Sequence, residues 1–359
     1  MSYRIKFYDY ELILTPKPDL RWMYVEVSSV CNFSCEFCFR HGFEEEFGFI
    51  DLKGIKLISS QLKDFPELEG IVIGGIGEPL CHPEFPKILQ AFKNFSNLKV
   101  ILATNGSLLS KDICELLIET GVNKLIVSYD AGEPGHPEEH VIQNLLLLLE
   151  CKKRFRAKRP LLGIECVIHR GNLERIPKVI ELVKKVQAEE VMFTHLLPCK
   201  GELDDAVLYP DEKAERKFFE ILKNCDISGG IRVLTPNFKF LTERHCNFVE
   251  KRAVVIRWDG LISPCYRFLH TGKERVLGQE KRIHSYGFGN IYEKSLLDAW
   301  CSLEYALFRY RVKNALFPSC HDCNFREGCQ FIESTETDCW GNSPSCADCL
   351  WWRQIIICP

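Results

Sequence analysis

Three cysteines stand in eight residues of this chain: Cys31, Cys35 and Cys38, in the stretch CNFSCEFC. A closed tetrahedral metal site takes four ligands, so the spacing C-x3-C-x2-C is one thiolate short. On a [4Fe–4S] cube, three thiolates from one tight loop hold three irons and leave the fourth without a protein ligand. An open iron is a place for a small molecule, as the open position of a catalytic zinc is. The competing reading is a structural zinc whose fourth ligand lies elsewhere in the chain.

The elements around the loop bear on that choice. Short apolar, β-branched runs at 22–29, 70–75, 99–104, 124–130, 161–168 and 190–197 read as buried parallel strands. Between them, 54–65, 85–95, 110–121, 140–154 and 176–186 carry apolar residues at three and four spacing, as amphipathic helices do. Six β/α units predict a parallel sheet, either open and doubly wound or a partial barrel. In both, chemistry sits in the loops after the carboxyl ends of the strands. CNFSCEFC follows the first strand, GGIGEPL the second and TNG (104–106) the third; Ser128 and Asp130 end the fourth, and His195 lies near the end of the sixth. All fall at one rim. After about residue 200 the alternation stops. A helix at 211–224, short strands in 254–264 and one helix over 295–312 lead into a cysteine-rich tail.

Composition narrows the classes. A net charge of -3 provides no basic field for nucleic acid. The stretch MSYRIKFYDYELIL has no long apolar core and no small-residue cleavage site, and the LLLLL run is far short of a membrane span. These features predict a cytoplasmic chain without a membrane partner. In that setting nineteen cysteines, an odd number, point to metal rather than disulfides.

With Phe37 as the aromatic, C-x3-C-x-aromatic-C resembles the signature of the radical S-adenosylmethionine (SAM) enzymes. The resemblance covers about residues 20–200 and implies an α/β fold, the family's partial (β/α)6 TIM-like barrel. It implies that the open iron of the Cys31/Cys35/Cys38 cluster chelates SAM, and that one electron cleaves SAM to a 5′-deoxyadenosyl radical. Gly75, Gly77 and Glu78 look like the family's glycine-rich turn, with glycines for close backbone approach and Glu78 for the methionine ammonium. Asn105, Ser128 and Asp130 suit carboxylate and ribose hydroxyls; Asn172 and Leu196 resemble adenine-side positions. Read without the family, Glu78 is a rim ion pair or cap and the three polar groups are turn chemistry, while His195 is either a ligand contact or proton donor, or a satisfied structural histidine.

The tail has a pattern of its own. Cys246, thirteen residues, Gly260, four residues, Cys265 is one unit, and Cys320-x2-Cys323-x5-Cys329 is a second; Cys339, Cys346, Cys349 and Cys358 follow. Together these resemble the SPASM extension, which implies one or two auxiliary [4Fe–4S] clusters. Two full cubes need eight thiolates. With Cys301 read as a small buried hydrophobe in the 295–312 helix, nine remain. The usual cysteine four residues after Cys329 is Glu333 here, so Cys339 takes its place across a longer loop. Zinc ribbons at 320/323 and 346/349 are the alternative. The expected division is an extension over 1–20, the barrel over 21–235 and the cluster-bearing extension over 236–359. Cys81, Cys114, Cys151, Cys166 and Cys225 read as core residues, as does Cys199, which alone lies near the rim.

SPASM enzymes mostly modify peptides or build cofactors. The cluster loop begins at residue 31, which leaves no room for the recognition domain of many peptide-modifying members. DLRWMYVEVSSVCNFSCEFCFRHGF and CADCLWWRQIIICP look most like the maturases associated with tungsten-dependent aldehyde ferredoxin oxidoreductases. That resemblance implies a tungsten–molybdopterin cofactor or its enzyme as substrate and reduced ferredoxin as electron donor. Rival readings are a radical enzyme acting on a small peptide or a haem, and a multi-cluster electron carrier with no enzymatic role. No residue declares itself as acid or base.

Overall fold

The computed structural model describes residues 2–93, 95, 97–131, 137–227 and 229–358. A hairpin of β1 (Tyr3–Phe7) and β2 (Tyr10–Leu14) precedes the sheet. The six apolar runs then form β3 (Trp22–Glu26), β4 (Gly70–Gly74), β5 (Lys99–Thr104), β6 (Lys124–Ser128), β7 (Leu161–Ile168) and β8 (Glu190–His195). Each pairs in parallel with the next. Parallel neighbours need a crossover, and the amphipathic segments supply it. They fold as α1 (Leu52–Gln61), α2 (Phe85–Lys93), α3 (Lys111–Glu119), α4 (Glu138–Phe155) and α5 (Ile176–Lys185), with α6 (Glu212–Asn224) after β8. Asp51, Ser110 and Asp211 cap α1, α3 and α6 through side-chain oxygens, as short polar residues at that position do. The apolar faces of the helices, for example Ile88, Leu89 and Phe92 of α2, are buried in one continuous core with the sheet.

The sheet does not end with the six units. β9 (Arg232–Leu234) extends it beyond β8, and β10 (Ala253–Ile256) pairs in parallel with β3, Val255 opposite Tyr24. β10 follows α7 (Asn247–Glu250) and carries β11 (Ile262–Ser263) antiparallel on its outer edge. The strand order is β11-β10-β3-β4-β5-β6-β7-β8-β9. A second hairpin joins β12 (Gly272–Val276) to β13 (Gln279–Ile283) through Leu277 and Gly278, both at positive φ, the two-residue turn that matches strand twist.

The expected helix over 295–312 is two helices, α8 (Leu296–Trp300) and α9 (Leu303–Lys313). Ser302 breaks it, because its hydroxyl accepts the Tyr305 N–H and starts a new helix. Cys301 therefore sits in the break, half-buried against the core, rather than inside a helix. The last residues run back into the barrel. The Ile357 N–H donates to Thr194 Oγ1 on β8 at 3.0 Å, and Cys358 lines a small cavity with Tyr24 of β3. The tail thus touches the strands at both ends of the six-unit run.

One buried imidazole ties the barrel to the extension. His270 Nε2 lies 2.9 Å from Glu26 Oε1, and Nδ1 lies 3.1 Å from Glu45 Oε2. Glu45 also accepts from the Arg257 guanidinium at 2.6 Å and from the Thr271 N–H at 3.0 Å. Burial disfavours the charged ring, but hydrogen bonds to the two carboxylates outweigh it and raise His270 to about 9. The folded pKa lies above the ordinary value near 6.5. The bridge therefore stabilises fully below about pH 6.5 and is lost as pH rises through 9. Wild type should lose thermal stability between those values, by an amount on the order of 3 kcal/mol at most. Calorimetry of His270→Gln should give a lower Tm at pH 6 and a flatter profile from pH 6.5 to 9.

Candidate active site

The three-cysteine loop leaves β3 and is held at both ends. Ser29 donates its N–H to Gly48 O at 3.0 Å, and its hydroxyl accepts the Gly48 N–H at 2.8 Å. Inside the loop the Cys38 N–H donates to Cys35 O and the His41 N–H to Cys38 O, both at 3.1 Å. The Arg40 guanidinium donates to Phe33 O at 2.9 Å. Burial raises the Cys31 thiol, against the Phe33 N–H and Arg40, which favour the thiolate. Cys31, Cys35 and Cys38 all border one cavity of about 290 Å³ at the carboxyl ends of the strands. Their three sulfurs are the donor set a cube with one free iron requires.

Gly75, Gly77, Glu78, Asn105, Ser128, Asp130, Leu196 and Phe37 line the same cavity. The glycines are explained by the protein's own packing. A Cβ on Gly77 would stand 2.5 Å from Val30 O, and Gly75, at φ +133°, would press on the Glu26 side chain at 2.6 Å. Glu78 is fully buried, and its carboxylate is already engaged. It accepts from the Asn105 N–H (2.6 Å), the Thr104 hydroxyl (2.7 Å) and the Leu80 N–H (2.9 Å). Its own N–H donates to Val30 O at 2.8 Å. The carboxylate therefore fastens the second and third strand-end loops together, while its backbone holds the cluster loop. Asn105 Nδ2 reaches Asn32 Oδ1 at 3.0 Å and stands 3.7 Å from Cys31 Sγ. Asp130 accepts the Val167 N–H at 2.7 Å.

Asn172 is not among the cavity residues. Its amide accepts the His169 N–H (2.9 Å) and donates to Val167 O (2.8 Å), so it braces the loop after β7. That loop carries His169, whose ring packs on Phe37 at 4.2 Å. The His195 ring packs against Tyr209 and Phe238 and lies 3.1 Å from Asn237 O; burial lowers it to about 3, so it is neutral. Cys199 is buried behind the cluster loop, 3.9 Å from Cys38 O.

The cavity also holds Glu165, which was not singled out from the sequence, and Cys358, which was read as a cluster ligand of the tail. Glu165 is the lone charged residue of β7, and that signal was available in LLGIECVI. Burial, then the neighbouring Asp130, pushes its carboxyl up to about 8. Cys358 closes the cavity from the tail, with its sulfur accepting the Trp351 Nε1–H at 3.0 Å.

The tail thiols fall into two neighbourhoods. Burial, then the charges of Cys349, Cys265 and Cys246, raise Cys346 well above the ordinary thiol value. Cys246 and Cys265 are raised by burial and then by Cys349. Elsewhere, burial, Asp338, Cys329 and Cys323 raise Cys339, and Cys339 contributes in turn to raising Cys320. Thiols that raise one another in this way lose the penalty when a cationic cluster sits among them. Among the described residues, no three His, Cys, Asp or Glu side chains close on a single ion. The thiols of a cube each bind a different iron.

A family model of the radical SAM superfamily matches residues 25–198, and one of an iron–sulfur cluster-binding domain, SPASM, matches residues 246–324. This chain belongs to the radical SAM superfamily and carries a SPASM extension. It is therefore an enzyme that uses a [4Fe–4S] cluster and SAM, with further iron–sulfur binding in the tail. It is 36% identical over 352 residues to the tungsten-containing aldehyde ferredoxin oxidoreductase cofactor-modifying protein of Pyrococcus furiosus, covering 95% of this chain and 97% of that one. It is 31% identical to the AdoMet-dependent heme synthase of Methanosarcina barkeri over 44% of this chain and 46% of that one. Among solved structures, anSMEcpe with bound AdoMet shares the fold at TM-score 0.61 and 17% identity, over 93% of this chain and 95% of that one. The likeness agrees with the partial barrel expected from the sequence. No helix among the described residues is long and apolar enough to cross a membrane.

A carboxyl raised to about 8 holds its proton more tightly folded than unfolded, so Glu165 costs stability as pH rises from about 4.3 toward 8. Glu165→Gln should match wild type in Tm at pH 5 and exceed it at pH 8.5. Equal Tm values at both pH values would place the carboxyl in contact with solvent.

Proposed function

We propose that this chain is a radical SAM maturase that modifies the tungsten–pterin cofactor, or the enzyme, of a tungsten-dependent oxidoreductase. The observation that carries the reading is end-to-end similarity to the Pyrococcus furiosus protein, joined to a three-cysteine loop that borders a cavity at the strand ends. Reduced ferredoxin or a similar carrier is the proposed electron source. A carrier that only passes electrons has no use for a cluster with an open iron beside a 290 Å³ cavity.

When bound, the cluster and SAM supply a 5′-deoxyadenosyl radical. The chain's own residues position and enclose it. Cys31, Cys35 and Cys38 hold three irons. Asn105, Ser128 and Asp130 offer polar groups to SAM, and Gly75 and Gly77 let the backbone approach. Glu78 sets the positions of these groups, and Asn172 sets that of the loop after β7. Phe37 and Leu196, with Ile356 and Ile357 of the tail, form apolar walls that keep water from a reactive intermediate. Cys246, Cys265, Cys346 and Cys349 hold one auxiliary cluster, and Cys320, Cys323, Cys329 and Cys339 hold a second. Cys358 is left out of both and faces the cavity. The division at 235/236 separates the parts by what each does, and β10 and β11 of the second part extend the barrel's sheet beyond β3.

Anaerobically reconstituted protein with dithionite and SAM should yield 5′-deoxyadenosine. Cys35→Ala should abolish it and remove one cube's worth of iron, leaving the auxiliary iron in place. Retained cleavage in that variant would overturn the assignment. Cys358→Ala should keep the full iron content, and loss of a cube from it would return Cys358 to the ligand set.

A further inference from the structure

Arg267 follows Cys265 by two residues, and its side chain is only 1% exposed. Its Nε donates to Glu274 Oε1 at 3.1 Å, and Nη2 bonds Glu274 and, at 2.8 Å, Asp348 Oδ1. Asp348 lies between Cys346 and Cys349 and takes Lys281 Nζ on its other oxygen at 3.0 Å. Two cations and two carboxylates thus balance within one buried cluster. One group is left over. Nη1 is buried with no hydrogen-bond partner. An unpaired buried charged donor is costly, so the fold implies an acceptor there. Through Nη2 the guanidinium is held to Asp348, which separates Cys346 from Cys349, and it stands two residues after Cys265, so the cluster that these thiols would hold is the acceptor the fold places beside it.

We propose that Arg267 Nη1 donates a hydrogen bond to sulfur of the auxiliary cluster held by Cys246, Cys265, Cys346 and Cys349, and raises that cluster's reduction potential. The inference rests on the ligand grouping given above. Reduction adds one negative charge to the cluster, and a fixed N–H stabilises the more negative state. The paired charges around the guanidinium nearly cancel at a distance, so the effect belongs to the directed donor. The second group has a guanidinium of its own, Arg326, which donates to Cys320 O at 3.3 Å. Its Nε is likewise buried without a hydrogen-bond partner, so the Arg267 variant is expected to move one auxiliary couple and leave the other in place.

The test is an EPR-monitored redox titration of the reconstituted holoenzyme and of Arg267→Lys, which keeps the charge but loses the spare donor of the fork. Iron per chain should be unchanged. One auxiliary couple should move to more negative potential, while the couple of the Cys31/Cys35/Cys38 cluster, whose cavity Arg267 does not line, serves as the reference. All couples at wild-type potential in an iron-complete variant would overturn the proposal. If Arg267→Lys fails to load, the double variant Arg267→Gln/Glu274→Gln, which removes one charge of each sign, is titrated instead. An unshifted potential there counts equally against it. Failure of the ligand grouping would show separately, as full iron content in Cys346→Ala and Cys349→Ala.

Discussion

The site depends on one buried carboxylate, that of Glu78. Three loops, from three different strands, must meet within a few ångströms for a cluster and a ligand to share a cavity. Glu78 makes them meet, taking three donors on its carboxylate and giving its N–H to the cluster loop. Burial raises its pKa, and the three donors oppose the rise; the charge is tolerated because it is fully hydrogen-bonded. The glycines beside it follow from the same constraint. With Gly77 packed on the backbone of Ser28 to Val30, no side chain fits between the two loops. An acid that sequence reasoning assigns to a ligand ammonium thus acts first as the fastener of the rim.

The second constraint is the open side of a partial barrel. Six parallel units leave the first and last strands apart, and the radical chemistry needs a dry enclosure. The extension supplies it twice over. β10 pairs with β3 and so lengthens the sheet, and the terminal residues lie against Thr194 of β8 and Tyr24 of β3. The Glu26–His270–Glu45 bridge then links the end of β3, the segment after the cluster loop and the extension in one buried contact. Barrel and extension share a core as well as a boundary.

The barrel was legible because period and composition agree locally. Each strand is a short β-branched run, each helix carries its apolar face at three and four spacing, and the chemistry falls in the loops between. What escaped had a local signal weaker than its tertiary cause. Ser302 reads as an ordinary polar residue in a helical pattern until its hydroxyl is seen to cap a second helix. β12 and β13 carry charges along their length and look like loop. The placement of Asn172 depends on which way a short loop turns, and no periodicity encodes that. Glu165 was visible as a charge in an apolar strand, but only the fold shows that it faces a cavity and not a partner.

At Glu333, where the tail departs from the SPASM spacing, the chain takes its path from a neighbouring hairpin. After Cys329 the chain does not turn back at once. Glu333 O accepts the Arg282 N–H of β13 at 2.8 Å, and Thr335 returns its N–H to Arg282 O at 3.0 Å. The segment borrows the edge of the hairpin as a template. Asp338 then turns it, accepting the Trp340 N–H at 2.9 Å and the Asn342 N–H at 3.1 Å, and Cys339 comes back toward Cys323 and Cys329. The stretch between Cys329 and Cys339 thus follows the edge of the unanticipated β12–β13 pair before it turns, and the hairpin sets the path of the longer spacing.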